Sequence, residues 1–364
     1  MKSHSADDRW MRLALALGAR GLGTTWPNPA VGCVIVKDGR VLGRGWTQAG
    51  GRPHAEPMAL AQAGAAAKGA TAYVTLEPCA HTGKTPPCAD ALVNAGIARV
   101  VIATGDPDPR VAGKGLDKLR AAGIELRTSV LETEAQQANI GFLTRVTKNR
   151  PAVTLKLASS LDGKIATNTG ESQWITGGAS RAYVHLLRAS HDAVMVGSGT
   201  SVADDPSLTV RLGGLEHRVP VRIILDSNLS TPADSQLGRT SKDTAVWMCH
   251  GPEADTRGWA GTGAELITCS VDNGGLSLNG TLAKIAEKGI TRVFCEGGGK
   301  LAAALIREGY VDRLITMTAG IAIGADGIPN LDTMGVNTLN KAPRFELVSH
   351  RRIGDDLMAE WHPV

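Results

Sequence analysis

Four side chains in the first hundred residues have the types and spacing of a hydrolytic metal centre: His54, Glu56, Cys79 and Cys88. One imidazole and two thiolates make three ligands for zinc, and a catalytic zinc site needs three protein ligands with a fourth position left for water. Zinc so held lowers the pKa of its water to about 7. Glu56, two residues beyond His54, is then free to shuttle protons without ligating the metal. Two other readings of the same residues stay open. They could be a satisfied core histidine with free buried thiols, or a closed structural site in which His81 supplies a fourth ligand.

The elements around these residues must bring them together. Cys79 follows the apolar run TAYVTLEP, and Cys88 precedes the helical run ADALVNAG, so the thiols lie where a strand ends and a helix begins. A helix N-terminus favours the ionised thiol. Glu56 and Pro57 fall in the first turn of an alanine-rich helix closing near Gly64 or Gly69, where proline is tolerated because early helical N–H groups have no intrahelical partner. VGCVIV and VLGRGW flank a Lys37-Asp38-Gly39-Arg40 turn, which reads as a β-hairpin. With a helix over 8–20 and a buried strand at ARVVIATG, the first half is expected to be a three-layer α/β/α sandwich.

Composition limits the alternatives. At 364 residues the chain suggests two domains, and 43% apolar with 20% charged residues excludes a disordered or fibrous protein. A net charge of +4 and only 7 Trp, 3 Tyr and 3 Phe give no support for a nucleic-acid surface. No apolar window is long enough for a membrane span, and the N-terminal residues MKSHSADDRWMR contain no apolar leader core. Six cysteines make no disulfide framework. A cytoplasmic protein is expected. A boundary is expected at Asn149-Arg150-Pro151, where a polar helix meets a proline and a new apolar strand, giving domains 1–149 and 150–364.

After the boundary the strands AVTLKLA, DAVMVG, VRIILD, TAVWMC, RVFCEG and RLITMT alternate with helical segments such as SRAYVHLLRA and KLAAALIREG. Such runs suit a mostly parallel sheet buried on both faces. Neither G-x-G-x-x-G nor a P-loop occurs. Instead, Glu296-Gly297-Gly298-Gly299-Lys300 links a strand to a helix, either as an anion cradle or as a tight connection. Val196-Gly197-Ser198-Gly199-Thr200 and the segment 156–176 also follow strands, where open α/β sheets bind ligands.

His-x-Glu with Pro-Cys is the signature of zinc deaminases, although their usual Pro-Cys-x-x-Cys is replaced here by a spacing of eight residues between Cys79 and Cys88. PNPAVGCVIVKDG, AGGRPHAE, TLEPCAHTGKTPPCADALVNAGIARVV and DPDPRVAGKG together resemble the deaminase half of the bifunctional riboflavin-biosynthesis deaminase/reductases, in which the longer loop is usual. The resemblance implies a cytidine-deaminase-like α/β/α domain, zinc on His54, Cys79 and Cys88, Glu56 as the proton shuttle and Asn28 against the pyrimidine. The implied reaction removes the 2-amino group of 2,5-diamino-6-(5-phosphoribosylamino)pyrimidin-4(3H)-one as ammonia. Two positions depart from relatives, which commonly have a histidine at Thr47 and a small aliphatic residue at Pro57.

KLASSLDGKIA, GESQWIT, LRASHDAVMVGSGTSVADDPSLTVR and EGGGKLAAALI resemble the reductase half of the same family, which has a dihydrofolate-reductase-like α/β fold. By this resemblance NADPH would contact Ala158, Trp174, Thr200, Asp204, Ser227, Gly298, Gly299, Lys300, Leu301, Ala302, Ala303 and Ala304. The phosphorylated substrate would meet Lys156, Ser172, Arg188, Leu208, Arg211 and Glu296. Arg188 and Arg211 also fit independently, since guanidinium forks suit phosphate. The segment TAGIAIGADGIPNL lacks the early proline of relatives. A homo-oligomer with no nucleic-acid or membrane partner is expected. The competing readings are a nucleic-acid deaminase with an appended nucleotide-binding module, which calls for a basic, aromatic-bearing surface, and a non-catalytic nucleotide-binding protein, which has no use for Glu56.

Overall fold

The computed structural model describes residues 6–81, 86–109, 111–272 and 274–364. The chain divides between Asn149 and Arg150 into two compact units. Asn149 adopts a left-handed conformation that ends the last helix of the first unit, and Pro151 cannot extend that helix.

The first unit carries strands β1 (Gly32–Lys37), β2 (Arg40–Trp46), β3 (Thr71–Val74), β4 (Arg99–Ile102) and β5 (Glu125–Arg127) in the order β2-β1-β3-β4-β5. β1 pairs antiparallel with both β2 and β3, whereas β3, β4 and β5 run parallel. Helices α1 (Ala6–Gly18), α2 (Ala55–Ala63), α3 (Cys88–Asn94), α4 (Lys114–Ala121), α5 (Glu132–Ala138) and α6 (Ile140–Lys148) complete it. The sheet is buried on both faces because its side chains alternate. Cys33, Ile35, Val74, Val100 and Ile102 pack with Ala55, Ala59, Leu92 and Leu119 from α2, α3 and α4. Val34, Val36, Tyr73 and Val101 meet Met11, Ala14 and Leu17 of α1 and Ala135 of α5. This is the expected three-layer sandwich. Gly45 brings the start of α2 onto β2, since a Cβ there would lie 2.1 Å from the Ala55 carbonyl oxygen.

A buried carboxylate ties the other end of the sheet together. Asp7 accepts hydrogen bonds from Arg99 at 2.9 Å on both oxygens, from the Tyr73 hydroxyl at 2.8 Å and from Arg127. The Arg99 guanidinium outweighs burial and pulls the Asp7 carboxyl down to about 2.

Among the described residues the main sheet of the second unit has nine strands: β6 (Ala152–Ser159), β8 (Ala193–Gly197), β9 (Val221–Leu225), β10 (Val246–His250), β11 (Glu265–Thr268), β14 (Arg292–Cys295), β15 (Val311–Thr318), β17 (Phe345–Ile353) and β18 (Asp356–Pro363). Small antiparallel pairs join β7 (Lys164–Ala166) to β16 (Ile328–Pro329) and β12 (Val271–Asp272) to β13 (Gly275–Leu276). The sheet order is β11-β10-β9-β8-β14-β6-β15-β18-β17. It is parallel up to β15, and the hairpin β17–β18 adds two antiparallel strands at one edge. Helices α7 (Gly178–Ala189), α8 (Ser198–Asp204), α9 (Gln236–Arg239), α10 (Leu278–Glu287) and α11 (Gly299–Arg307) lie between strands. Phe294, Ile315, Met317 and Met358 bury one part of the sheet with Val184 and Leu187 of α7. Among the described residues no helix is long and apolar enough to cross a membrane.

Candidate active sites

In the first unit the three expected ligands converge. The ligand atoms of His54, Cys79 and Cys88 all lie within 4.8 Å of one another. His54 caps α2 in an extended conformation, Cys79 follows β3, and Cys88 is the first residue of α3. His54 Nδ1 lies 3.3 Å from Cys88 Sγ and 3.8 Å from Cys79 Sγ. Tetrahedral zinc, with Zn–S near 2.3 Å and Zn–N near 2.0 Å, sets a nitrogen–sulfur separation of roughly 3.6 Å, so the two distances straddle the ideal. His81 is not in this cluster, which disfavours the closed four-ligand site.

The electrostatics suit a cation. The Cys88 N–H at the start of α3 points at Cys79 Sγ from 3.3 Å. The Cys88 thiol and the His54 ring draw the Cys79 thiol down to about 4, while the same Cys88 contact with Cys79, together with burial, pushes Cys88 up. The hydrogen bond from His54 to Cys79 raises the imidazole. One thiolate is thus already favoured, and a divalent ion would compensate the second. Glu56 is only 3% exposed. Burial, then the Cys79 charge, raises its carboxyl, as expected for a group that must hold a proton during a reaction.

Asn28 is half-buried in the Pro27–Pro29 turn, and its backbone N–H donates to the Thr25 carbonyl at 3.0 Å. Gly51 is packed against its amide. Gly51 has φ +80°, and a Cβ there would sit 1.9 Å from Asn28 Nδ2. Thr47, one of the two positions where the resemblance implies another residue, is buried and turned to structural use: its Oγ1 accepts the Val31 N–H at 3.0 Å. Pro57 is accommodated inside the first turn of α2. The TGKT part of the long loop, residues 82–85, together with residues 1–5 and Arg110, lies outside the described residues.

The second unit contains a cavity of about 1300 Å³. It gathers the three glycine-rich or loop clusters singled out from the sequence. Ala158, Trp174, Thr200, Asp204, Ser227, Gly298, Gly299, Lys300, Leu301 and Ala304 line it. Ala302 and Ala303 do not. Each is 1% exposed and faces the core side of α11, because residues on opposite sides of a helix cannot share one cavity. The Gly298 N–H donates to Thr200 Oγ1 at 3.0 Å, tying the α11 turn to α8. Trp174 is 66% exposed with the Arg181 guanidinium 4.7 Å from its ring centre.

Lys156, Ser172, Arg188, Leu208, Arg211 and Glu296 also line the cavity. Lys156 rises from the middle of β6, and burial lowers its ammonium despite nearby Glu296. Burial alone would raise Glu296, but Arg188, Lys156 and His185 together outweigh it and the net shift is downward. Burial raises Asp204 against the opposing pull of Lys156. The Arg188 fork is not free for phosphate. Its Nε and Nη2 donate to Glu296 at 2.5 and 3.0 Å, and Nη1 donates to the Thr209 carbonyl at 2.9 Å. Arg211 remains exposed, with no ion pair among the described residues. Sequence reasoning missed Arg181 and His185, both of which line the cavity. Their spacing from Arg188 by about two and one helical turns on α7, respectively, is the signal that could have found them.

The known proteins resembling this chain match both halves. Residues 4–104 fit the cytidine and deoxycytidylate deaminase zinc-binding region, and residues 151–359 fit the RibD C-terminal domain. Riboflavin biosynthesis protein RibD of Escherichia coli is 44% identical over 363 residues, covering 96% of this chain and 98% of the relative. That of Aquifex aeolicus is 41% identical over 352 residues, covering 97% of each. Among solved structures, Acinetobacter baumannii RibD matches with a TM-score of 0.89 at 39% identity, covering 98% of this chain and 99% of the other. A Thermotoga maritima diaminohydroxyphosphoribosylaminopyrimidine deaminase/5-amino-6-(5-phosphoribosylamino)uracil reductase matches with a TM-score of 0.87 at 36% identity, covering 98% and 99%. A zinc-binding deaminase region followed by a reductase domain, matched over nearly the full length of these relatives, shows that the chain belongs to the RibD family of bifunctional riboflavin-biosynthesis enzymes.

Proposed function

We propose that the first unit removes the 2-amino group of 2,5-diamino-6-(5-phosphoribosylamino)pyrimidin-4(3H)-one as ammonia. In the same reading, the second unit uses NADPH to reduce the ribosyl chain of the resulting aminouracil to ribityl. The observation that carries the first step is the meeting of His54, Cys79 and Cys88 within 4.8 Å, with buried Glu56 two residues from the first of them. This donor set fits zinc, and a zinc ion held there supplies Lewis-acid activation of water. Glu56 takes one proton from the water as its oxygen bonds to the ring carbon and delivers it to the ring nitrogen, then carries the remaining hydroxyl proton to the amine, which departs as ammonia. Asn28 orients the pyrimidine, and Gly51 leaves room for its amide.

In the second unit, the roughly 1300 Å³ cavity and the glycine turn before α11 fit a dinucleotide. Ala158, Trp174, Thr200, Asp204, Ser227 and the exposed side of Gly298–Ala304 would hold NADPH, which supplies a hydride to the sugar carbon C1′. Lys156 offers a desolvated ammonium beside the reacting carbon, with Glu296 and Arg188 fixing its surroundings. Ser172, Leu208 and Arg211 would meet the substrate, with Arg211 carrying the phosphate contact.

A cytoplasmic setting belongs to the same reading, since Cys33, Cys249, Cys269 and Cys295 are free and buried, as a reducing compartment allows. So does a homo-oligomer, because β17 offers an uncovered edge with Leu347 46% and Val348 50% exposed; light scattering tests it. The reaction is tested by supplying the diaminopyrimidine nucleotide with and without NADPH, following ammonia and the nicotinamide absorbance together. Ammonia release without cofactor, then NADPH oxidation upon its addition, is the expected result. Activity on an RNA loop with none on the free nucleotide would overturn it.

A further inference from the structure

His185 faces the reductase cavity from the middle of α7, and neither the sequence patterns nor the proposed chemistry gives it a task. Its Nδ1 accepts the backbone N–H of Arg211 at 3.1 Å. That bond fixes the tautomer, because a neutral ring accepting at Nδ1 carries its proton on Nε2. The segment that leads to Arg211 has a second anchor, from Arg188 Nη1 to the Thr209 carbonyl at 2.9 Å. Arg188 is itself locked on Glu296. Two side chains one turn apart on α7 therefore hold the backbone of residues 209–211, from which the Arg211 guanidinium extends without an ion-pair partner among the described residues.

We infer that His185 is a positioning residue for the phosphate end of the reductase substrate: its neutral imidazole pins the Arg211 backbone and so sets where that guanidinium stands. This rests on the reductase reading of the second unit. Protonation would replace the acceptor at Nδ1 with a donor facing the Arg211 N–H, and the anchor would be lost. The groups facing the ring are Arg188 from its own helix, Arg211 from the pinned segment, Glu296 from beyond β14, and the Thr209 backbone. Burial and the two guanidinium groups outweigh Glu296 and Thr209, so the ring stays neutral to lower pH than an ordinary histidine.

The test uses the full chain with NADPH and the phosphoribosylaminouracil, measuring KM for each between pH 5.5 and 8. His185→Leu removes the acceptor, whereas His185→Asn places an amide oxygen close to the position of Nδ1. At pH 7.5, His185→Leu is expected to raise KM for the phosphorylated substrate about tenfold with kcat and the KM for NADPH little changed, the cost of one lost anchor. His185→Asn should restore it. As pH falls, the substrate's own phosphate titrates near pH 6 in every variant, so the informative quantity is the additional rise in KM seen in the native protein and absent from His185→Asn. Amide exchange over residues 208–211, faster in His185→Leu than in His185→Asn, reads the same anchor without substrate. Equal exchange in the two variants, unchanged KM in His185→Leu, or superimposable pH profiles of native protein and His185→Asn would each overturn the inference. A native protein that oxidises no NADPH with this substrate would instead overturn the assigned reaction, with the exchange measurement still deciding the role of His185.

Discussion

The two units place their chemistry in opposite ways. In the first, three ligand atoms meet beside one buried carboxylate, and the three ligands come from different places along the chain: the cap of α2, the loop after β3 and the start of α3. In the second, the candidate residues are spread around a cavity of about 1300 Å³ whose lining mixes glycine and other small residues with large apolar and charged ones. A point site depends on side-chain identity, so one substitution should abolish it. A distributed site depends on shape and on the anchoring of its walls, so single changes should weaken it by degrees.

The sharpest test of that contrast is Glu56→Gln, which preserves size and removes the proton shuttle. Ammonia release should fall by roughly 10³-fold, with zinc content by metal analysis and NADPH oxidation of supplied aminouracil unchanged. Full deaminase activity in this variant would show that the point site works without its carboxylate. Lys156→Met should lower the reductase rate by about 10²-fold and leave ammonia release alone. Because burial lowers the Lys156 ammonium, its charge is lost on raising pH before an ordinary lysine loses its own. The native reductase should therefore decline on the alkaline side below the usual lysine range, a decline absent from Lys156→Met.

A smaller effect separates stability from catalysis. Asp7 is held down to about 2 against an ordinary 3.8, so its contribution is complete above the unfolded value and lost as pH falls through the folded one. Asp7→Asn should cost about 2 kcal/mol, roughly thirtyfold in the folding equilibrium at neutral pH, and flatten the loss of stability between about pH 4 and 2 in the native protein. Circular dichroism melts across that range would show it, and identical melts would mean that Arg99 and Arg127 are not productively paired. The smallest change is Gly51→Ala. A methyl group placed 1.9 Å from the Asn28 amide nitrogen must displace it, raising KM for the diaminopyrimidine by about tenfold with zinc retained.

The same contrast explains what could be read in advance. His54, Glu56, Cys79 and Cys88 are legible from their types, because few tasks other than metal binding require them in register with a strand end and a helix start. The alternation of Cys33 and Ile35 against Val34 and Val36 similarly encodes both faces of the first sheet. The C-terminal hairpin is less legible. β17, FELVSHRRI, is exposed along nearly its whole length and lacks an apolar alternation to announce it, and β11 is a short edge strand. At the distributed site, sequence identifies Arg188 as suited to phosphate but cannot show that Glu296 occupies its fork. Nor does the run after Gly298 reveal which side of α11 is turned inward, and Ala302 and Ala303 belong to the core. Thr47 illustrates the limit from the other direction: among the described residues, a polar side chain at a suspect position serves the backbone of Val31.

The strand order also has a consequence for biosynthesis. All partners in the first sheet are made between residues 32 and 127, so that sheet can close while much of the chain is still on the ribosome. β6, the first strand of the second sheet, must instead wait for β14 and β15, which begin at Arg292 and Val311. Pairings so distant along the chain are slow to form, and their apolar edges stay open to wrong partners meanwhile. Synthesis from the N-terminus therefore lets the deaminating half mature first, and leaves the reducing half as the stage at which a nascent molecule most needs protection.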